Sequence, residues 1–191
     1  MATTTSSRSY PRRARLRDGG EATLRLMTAA DGEAMLALAR GLPADDLLFL
    51  RMDITQPPAV DEWVANIRAG RTITVLAEIN DKLVGYASLH YNEVLWTRHV
   101  GEIRVAVAHK HRRQLLGETL AREVFSIARD LGLRKITAQM TPDQAGARAT
   151  FERLGFRPEA LLADFVQDRE GHTRDLLIMA YDVTGFHDEA T

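Results

Sequence analysis

The sequence predicts an α/β fold, an α+β arrangement in which a mixed β-sheet is flanked by helices. Its central stretch, residues 99–120, reads as a strand that leads within a few residues into a helix. In the strand half, apolar and polar side chains alternate with the period of two that is typical of strands. One face would carry Ile103, Val105 and Val107, and the other Glu102, Arg104 and Ala106. Around this unit, the predicted order of elements is β-α-α-β-β-β-α-β-α-β-β.

The other elements follow from apolar periodicity and from turn residues. Gly85, inside a strand, predicts a bulge or a close approach between backbones. Residues 44–58 are irregular, and we expect either a loop that a substrate contacts or a packed connection with solvated acids. The remaining strands are predicted at residues 24–27, 72–79, 83–90, 134–140, 159–167 and 172–182. The helices are predicted at residues 31–41, 60–68, 116–131 and 142–154.

Length and composition are those of one soluble globular domain. The chain has 191 residues, of which 45% are hydrophobic and 27% charged, and its net charge is −1. This balance argues against a protein that coats nucleic acid with its whole surface. The absence of cysteine excludes disulfides, thiolate metal sites and a cysteine nucleophile. No apolar run approaches the roughly 18 residues of a membrane span, so we expect a cytoplasmic protein without a membrane partner.

The domain boundaries are predicted from the two polar ends. Residues 1–21 contain five arginines and no acid before Asp18, and we expect a disordered basic tail. An organelle transit peptide and a nucleic-acid-binding arm are the alternatives for this segment. Residues 22–184 are predicted to form a single domain, and residues 185–191 a frayed C-terminus.

A basic turn joins the central strand to its helix. His109, Lys110, His111, Arg112 and Arg113 place cationic side chains beside the unpaired N–H groups of a helix start, where a phosphate is expected to bind. A metal ion is not expected there, because neighbouring cations repel a dication and no third ligand stands at a suitable spacing.

Two motifs on these elements resemble the GNAT acyltransferase superfamily. Arg112-x-x-Leu115-x-Gly117 resembles its acetyl-coenzyme A signature, Gln/Arg-x-x-Gly-x-Gly/Ala, although Arg113 and Leu115 stand where glycines are usual. The segment from Gln144 to Phe156 is similar to the second family motif, Asn-x-x-Ala-x-x-x-Tyr-x-Lys/Arg-x-Gly-Phe. The element order over about 160 residues also resembles the GNAT fold, which is therefore the fold we expect.

The resemblance implies that acetyl-coenzyme A is the co-substrate. Its pantetheine arm would lie along the backbone of residues 105–107, and its pyrophosphate on the amides of residues 112–117. Further contacts are expected from the second motif. The implied cofactor-binding residues are Val105, Ala106, Val107, Arg112, Arg113, Gln114, Leu115, Leu116, Gly117, Gln144 and Phe151.

Acetylation of an amine requires a base, because the amine of a lysine-like acceptor has a pKa of about 10.4 and must lose a proton. Glu102 is the candidate, and the run Trp96-x-Arg98-His99-x-x-Glu102 looks similar to the glutamate-bearing stretch of phosphinothricin-type acetyltransferases. An ion pair between Glu102 and Arg104 is the structural alternative. His99 is a second candidate base, although a histidine at a strand start is more often structural.

The family tyrosine that returns a proton to the departing thiolate is replaced by Phe151, which has no proton to give. Water or another residue such as Tyr181 would take this role. Direct transfer without an acyl-enzyme is implied by the resemblance.

The leading functional hypothesis is an N-acetyltransferase that acts on a primary amine of a small molecule or a protein. A degenerate GNAT domain that binds ligand or partner without catalysis is the first alternative, and an RNA- or ribosome-associated role of the arginine tail is the second. The C-terminal hairpin suggests a homodimer through its edge. A pocket for a cationic amine is suggested by Asp45, Asp46, Asp53 and Glu93, with Phe49 and Trp96 as its apolar part.

Overall fold

The computed structural model describes residues 9–47, 52–168 and 170–183, without the side chain of Asp45. The strands are β1 (Arg12–Arg15), β2 (Glu21–Leu26), β3 (Thr72–Ile79), β4 (Lys82–Tyr91), β5 (Val100–Val107), β6 (Lys135–Met140), β7 (Arg157–Gln167) and β8 (Thr173–Asp182). The helices are α1 (Gly32–Arg40), α2 (Ala44–Leu47), α3 (Pro57–Arg68), α4 (Leu116–Asp130) and α5 (Ala145–Arg153). Short 3₁₀ turns cover Ala29–Asp31 and His109–His111.

All eight strands form one mixed sheet with the order β1-β2-β3-β4-β5-β6-β8-β7. The pair β5 and β6 is parallel, and the other neighbouring strands are antiparallel. The predicted α/β fold is therefore confirmed. The turn between β3 and β4 contains Asn80 and Asp81, which both adopt left-handed conformations, with φ of 50° and 60°.

Gly85 occupies the position that the sequence marks as unusual. The pairing of β3 with β4 skips one residue of β4 beside Gly85, which is the predicted bulge. A Cβ at Gly85 would lie 2.9 Å from the carbonyl oxygen of Ala106 on β5. A larger residue here would push β5 away from β4.

The two faces of the sheet bury separate cores, as the period-2 alternation requires. One core contains Ile103 together with Leu120, Val124 and Ile127 of α4. The other contains Met35 of α1, Trp63 of α3 and the strand residues Leu76 and Tyr86. Helices thus cover both faces of β4 and β5, and each strand residue contributes to one core only.

The central strands β5 and β6 are paired over only part of their length. Val100, Gly101 and Glu102 pair with Lys135, Ile136 and Thr137. Beyond Glu102 the described residues show no further pairing between these strands, although both continue. A gap therefore opens between their carboxyl ends.

Residues 12–15 differ from the predicted disordered tail of residues 1–21. They form β1, which pairs with β2, and Leu16 directly after it is buried. Tyr10 donates a hydrogen bond of 3.0 Å from its hydroxyl to Glu123 Oε2 of α4, and Arg12 Nη1 lies 3.2 Å from Glu123 Oε1. The prediction missed this strand because its arginines face solvent at the sheet edge and one leucine is its main apolar anchor. Residues 1–8 and 184–191 lie outside the described residues.

The stretch predicted as irregular contains the short helix α2, and α3 begins at Pro57 rather than at residue 60. Proline is favourable in a first helical turn, because the N–H that it lacks would have no helical partner there. In the described part of the chain, none of the helices combines the length and the apolar character needed to cross a bilayer.

The buried position of Leu16 predicts that the N-terminal segment contributes to stability. Replacing Leu16 with alanine is expected to lower the free energy of unfolding by about 2–3 kcal/mol, because a buried leucine leaves a cavity. Arg13→Ala, at an exposed position of β1, is the control and should change this free energy by less than about 0.5 kcal/mol. Urea denaturation measures both values, and an unchanged Leu16→Ala protein would support a disordered tail instead.

Candidate active site

A cleft of about 1290 Å³ opens at the gap between β5 and β6. Its walls are the end of β5, the loop before α4 and the first turns of α4 and α5. The volume exceeds that of many single small-molecule sites, which are roughly 300–1,000 Å³, and leaves room for two substrates. Of the predicted cofactor-binding residues, those that line the cleft are Val105, Ala106, Val107, Arg112, Arg113, Leu115, Leu116, Gly117, Gln144 and Phe151. Gln114 does not line it and instead contacts Asp18.

The free edge of β5 presents backbone groups to the cleft. The amide of Ala108 donates to the carbonyl of Val84, which makes the neighbouring pair of Val107 and Gly85 a non-hydrogen-bonded pair. The N–H and C=O groups of Val105 and Val107 consequently point away from β4 and toward the gap. Arg112 Nε already donates to the Val107 carbonyl, at 3.1 Å. An extended chain with amide groups can pair with the remaining edge as an added strand.

The loop before α4 has an unusual backbone. Arg113 and Leu115 adopt left-handed conformations, with φ of 62° and 66°. Leu115 stands at the first glycine of the signature given above, and glycine is also usual at the position of Arg113. Glycine reaches such angles without a steric penalty. For other L-residues the conformation costs about 1–2 kcal/mol. The loop thus keeps the backbone shape that glycines normally allow, while carrying an arginine and a leucine.

This backbone shape leaves a row of amides without protein partners. Among the described residues, the backbone N–H groups from Arg113 to Glu118 donate no hydrogen bond to another protein atom, whereas the amide of Thr119 bonds the carbonyl of Leu115. Unpaired amides at a helix start carry partial positive charge and bind anions. The sequence-based expectation of an anion-binding turn agrees with this geometry.

Positive charge dominates the cleft. Six arginines and four carboxylates line it, namely Arg17, Arg104, Arg112, Arg113, Arg153, Arg174, Asp46, Glu118, Asp143 and Asp168. Asp46 forms an ion pair with Arg112 and is therefore already compensated. The acids suggested for an amine pocket do not gather here, since Asp53 bonds the Thr55 amide at 3.1 Å and Glu93 lines a second cavity.

The apolar residues suggested for that pocket do not join the cleft either. Trp96 is 83% exposed in the loop before β5 and is absent from the cleft lining. Phe49 lies outside the described residues.

Glu102 is held by Arg104 two residues along β5. Its Oε1 accepts hydrogen bonds from Arg104 Nη2 at 2.8 Å and Arg104 Nε at 3.0 Å, and both side chains are largely buried. Arg104 lines the cleft and Glu102 does not. The Arg104 side chain therefore lies between the Glu102 carboxylate and the cleft, at the position where the pairing of β5 with β6 ends.

The structure does not bring His99 together with Glu102. His99 is exposed directly before β5, whereas the cleft lies at the carboxyl end of this strand, and it lines a separate cavity of about 1010 Å³. Its carbonyl accepts hydrogen bonds from the amides of Arg134 and Lys135.

The hydroxyl groups of the cleft come from residues that the sequence did not single out. Phe151 lines the cleft and packs edge-on against Phe156, while Tyr181 stacks on Phe125 and is absent from the lining. Tyr86 lines the cleft, and burial raises its pKa to about 12, with the charge of Arg104 acting in the opposite direction. Thr141 is also in the lining, and its buried Oγ1 has no hydrogen-bond partner among the described residues.

In the described part of the chain, one group of possible metal ligands lies in the turn between β7 and β8. Ligand atoms of Asp168, Glu170 and His172 come within 4.8 Å of one another. The Asp168 carboxylate already accepts hydrogen bonds from the amides of His172 at 2.8 Å and Glu170 at 3.1 Å. This arrangement is that of a turn capped by an aspartate, and it gives no sign of a metal site.

The fold and this cleft agree with comparisons to known proteins. A family model described as the acetyltransferase (GNAT) family matches residues 24–156. The chain belongs to the GNAT acetyltransferase family. It is an acetyltransferase that uses acetyl-coenzyme A as co-substrate. The resemblance seen in the two sequence motifs is thereby confirmed.

Solved structures show the same fold. The chain is similar to the ribosomal-protein-alanine N-acetyltransferase from Brucella melitensis, with 25% identity and a TM-score of 0.73, covering 83% of this chain and 98% of that one. It is also similar to yncA, a putative acetyltransferase from Salmonella typhimurium solved with acetyl-CoA, with 20% identity and a TM-score of 0.74 over 89% and 98%. A putative phosphinothricin N-acetyltransferase has 22% identity and a TM-score of 0.75 over 86% and 99%. No curated protein matches the chain significantly by sequence.

Sequence reasoning missed Arg17 and Tyr86 as residues of the cleft. Arg17 was placed in a tail, and no pattern in the sequence shows that this tail folds back toward α4. Tyr86 lies next to Gly85 in the predicted strand 83–90, and no functional role was predicted for it from the sequence. Its hydroxyl was the available signal, because a buried tyrosine usually has a polar environment at one end.

The left-handed conformation of Leu115 predicts that glycine stabilises the protein more than alanine does at this position, which is the reverse of the usual order in a helix. The protein with Leu115→Gly should be more stable than the protein with Leu115→Ala by about 1 kcal/mol, because both lose the side chain and alanine alone keeps the strain. The control pair is Arg122→Gly and Arg122→Ala in the middle of α4, where alanine should be the more stable by about 1 kcal/mol. Thermal or urea unfolding gives the four values. The same sign at both positions would contradict the left-handed loop.

Proposed function

We propose that this GNAT enzyme is an N-acetyltransferase that moves the acetyl group of acetyl-coenzyme A to a primary amine by direct attack. The observation that carries the proposal is the row of unpaired amides from residue 113 to residue 118, beside the free edge of β5. The amides suit a pyrophosphate, and the strand edge suits an amide-bearing arm that leads to the thioester. Together they match the two ends of one extended molecule.

The predicted residues divide into two groups along this molecule. The loop and first turn of α4, from Arg112 to Gly117, would hold the pyrophosphate. Residues 105–107 would pair with the pantetheine arm, and the unpartnered Thr141 hydroxyl would offer it a further hydrogen bond. The Oε1 atom of Gln144 accepts a hydrogen bond of 3.0 Å from the Thr141 amide. Gln144 would therefore position the α5 side of the cleft, and its side-chain carbonyl would not bind the pantetheine arm. Gln114 would support the loop from behind.

Glu102 is the proposed general base. The amine must lose a proton as its nitrogen bonds the thioester carbon, and Glu102 is the carboxylate next to the point where the strands part. Because it lies behind Arg104, the proton would reach it through water. Arg104 orients the Glu102 carboxylate through two hydrogen bonds to its Oε1 atom.

When the carbon–sulfur bond breaks, the departing thiolate takes a proton. Tyr86 is our candidate donor, since it lines the cleft and its phenolic hydroxyl carries a proton at neutral pH. Tyr181, the earlier suggestion, packs among aromatic rings instead.

One observation favours the non-catalytic alternative. The Leu115 side chain is 43% exposed and lines the cleft, so it occupies space near the amides that would hold the phosphate. The proposed acceptor is a primary amine of either a small molecule or a protein. A cytoplasmic location and a homodimer stay predictions. The homodimer is supported by Leu161 and Phe165, which are exposed on the edge strand β7.

The role of Glu102 predicts a specific kinetic defect. Glu102→Gln should lower kcat by about 100-fold or more over a panel of primary amines, because a general base contributes roughly 10²–10⁴ in rate. The dissociation constant for acetyl-coenzyme A should change less than twofold, since Glu102 does not line the cleft. Release of free thiol measures turnover, and calorimetry measures binding.

His99→Ala is the matched control, because His99 lines the second cavity instead of the cleft, and this variant should leave kcat unchanged. If Glu102→Gln keeps kcat within threefold, then Glu102 is a structural partner of Arg104 and not the base. If the unmodified enzyme binds acetyl-coenzyme A but acetylates no amine in the panel, the non-catalytic alternative is favoured.

A further inference from the structure

The N-terminal segment is attached to the loop that begins α4. The amide of Arg17 donates to the carbonyl of Gln114 at 3.3 Å. In return, Gln114 Nε2 donates to Asp18 Oδ2 at 3.1 Å. These two hydrogen bonds join the turn after β1 to the residue between the left-handed Arg113 and Leu115. The position of Arg17 is therefore coupled to the unpaired amides.

The beginning of the same N-terminal segment is also attached to α4. Tyr10 and Arg12 both contact the buried carboxylate of Glu123, two turns along α4. Leu16 is buried in the core that also contains α4. Arg17 thus follows an ordered strand and is fixed relative to the first turn of α4, unlike an arginine on a loose tail.

The arginines of the N-terminal segment differ in whether they form an ion pair with a carboxylate. Arg12 pairs with Glu123, and Arg13 pairs with Glu21 at 3.0 Å. Within residues 9–47, 52–168 and 170–183, no carboxylate forms an ion pair with Arg17 or with Arg113. Both arginines line the cleft. Their uncompensated charges stand next to amides that already favour an anion.

We propose that Arg17 binds a phosphate of acetyl-coenzyme A, so that the N-terminal strand completes the phosphate end of the cofactor site. This inference rests on the proposed placement of the co-substrate in the cleft. Arg17 lies outside residues 24–156, the region matched by the family model. The planar guanidinium suits phosphate because it can donate two parallel hydrogen bonds. The segment contributes a cation where the loop carries Leu115 in place of glycine.

Coenzyme A offers two kinds of phosphate to Arg17, the pyrophosphate and the 3′-phosphate of the ribose. Their chemistry is shared, and dephospho-coenzyme A, which lacks the 3′-phosphate, separates them. Calorimetric titration of the full-length protein at low ionic strength compares both ligands for the wild type, Arg17→Gln and Arg13→Gln. Low salt is needed because the charge is exposed and screened.

Arg17→Gln should weaken coenzyme A binding about tenfold, the effect expected from losing a charge-assisted hydrogen bond. Arg13→Gln, an exposed arginine of the same segment that does not line the cleft, should stay within twofold of the wild type. A tenfold loss for coenzyme A alone identifies the 3′-phosphate, and a loss for both ligands identifies the pyrophosphate. Either result supports the proposal.

Arg17→Gln binding both ligands within twofold of the wild type would overturn the role of Arg17. Arg17→Glu is a second test, because a reversed charge should weaken coenzyme A binding more than Arg17→Gln does. Equal affinities of these two variants for coenzyme A would also contradict the proposal. Both variants should fold normally, since the side chain is exposed. If the wild type itself fails to bind coenzyme A, then the proposed site is wrong, which is a different outcome from loss in the Arg17 variants alone.

Discussion

The separation of β5 and β6 is the constraint on which the rest of the site depends. The two parallel strands pair through three residues each and then part, although both continue toward the same edge. Because each is followed by a helix, α4 and α5 both begin at that edge, and their first turns face one another across the gap. Ligands of α/β sheets characteristically bind at such carboxyl ends, where strand edges and helix starts are both available. Had β6 continued to pair with β5, the edge at Val105 and Val107 would be satisfied by protein, and no extended ligand could use it.

The phosphate end of this site is maintained without the usual glycines. Arg113 and Leu115 take left-handed angles that glycine reaches freely, so the chain tolerates a strain of about 1–2 kcal/mol at each. Strain of this kind persists where the surrounding structure determines the backbone, and it occurs often at functional sites. Here the surroundings include the tether between Gln114 and the N-terminal segment, and the contact of Arg112 with the Val107 carbonyl. The backbone shape of the loop is thereby retained although its side chains depart from the family signature.

Much of this could be predicted from the sequence because it depends on local patterns. Period-2 alternation identified β5, helical spacing identified α4, and the family resemblance located ten of the residues that line the cleft. What failed depends on contacts between distant parts of the chain. The sequence of the strand Arg12–Arg15 is typical of a polar tail, and this segment is ordered by its pairing with β2 and by the nearby contact of Tyr10 with Glu123. Asp46, Asp53 and Glu93 were grouped in one expected amine pocket, yet they lie at different places and have different surroundings. For Glu102, sequence allowed both a base and a partner of Arg104, and the structure shows the ion pair while leaving it beside the gap.

The central claim is that the unpaired amides before α4 and the free edge of β5 hold acetyl-coenzyme A. Hydrogen–deuterium exchange, with and without the ligand, tests it at the backbone itself, because exchange reports on amide hydrogen bonding. Acetyl-coenzyme A should slow exchange at residues 113–118 and at Val105 and Val107, and should leave the second cavity near His99 unchanged. Protection confined to other regions, or absent at 113–118 under saturating ligand, would contradict the account.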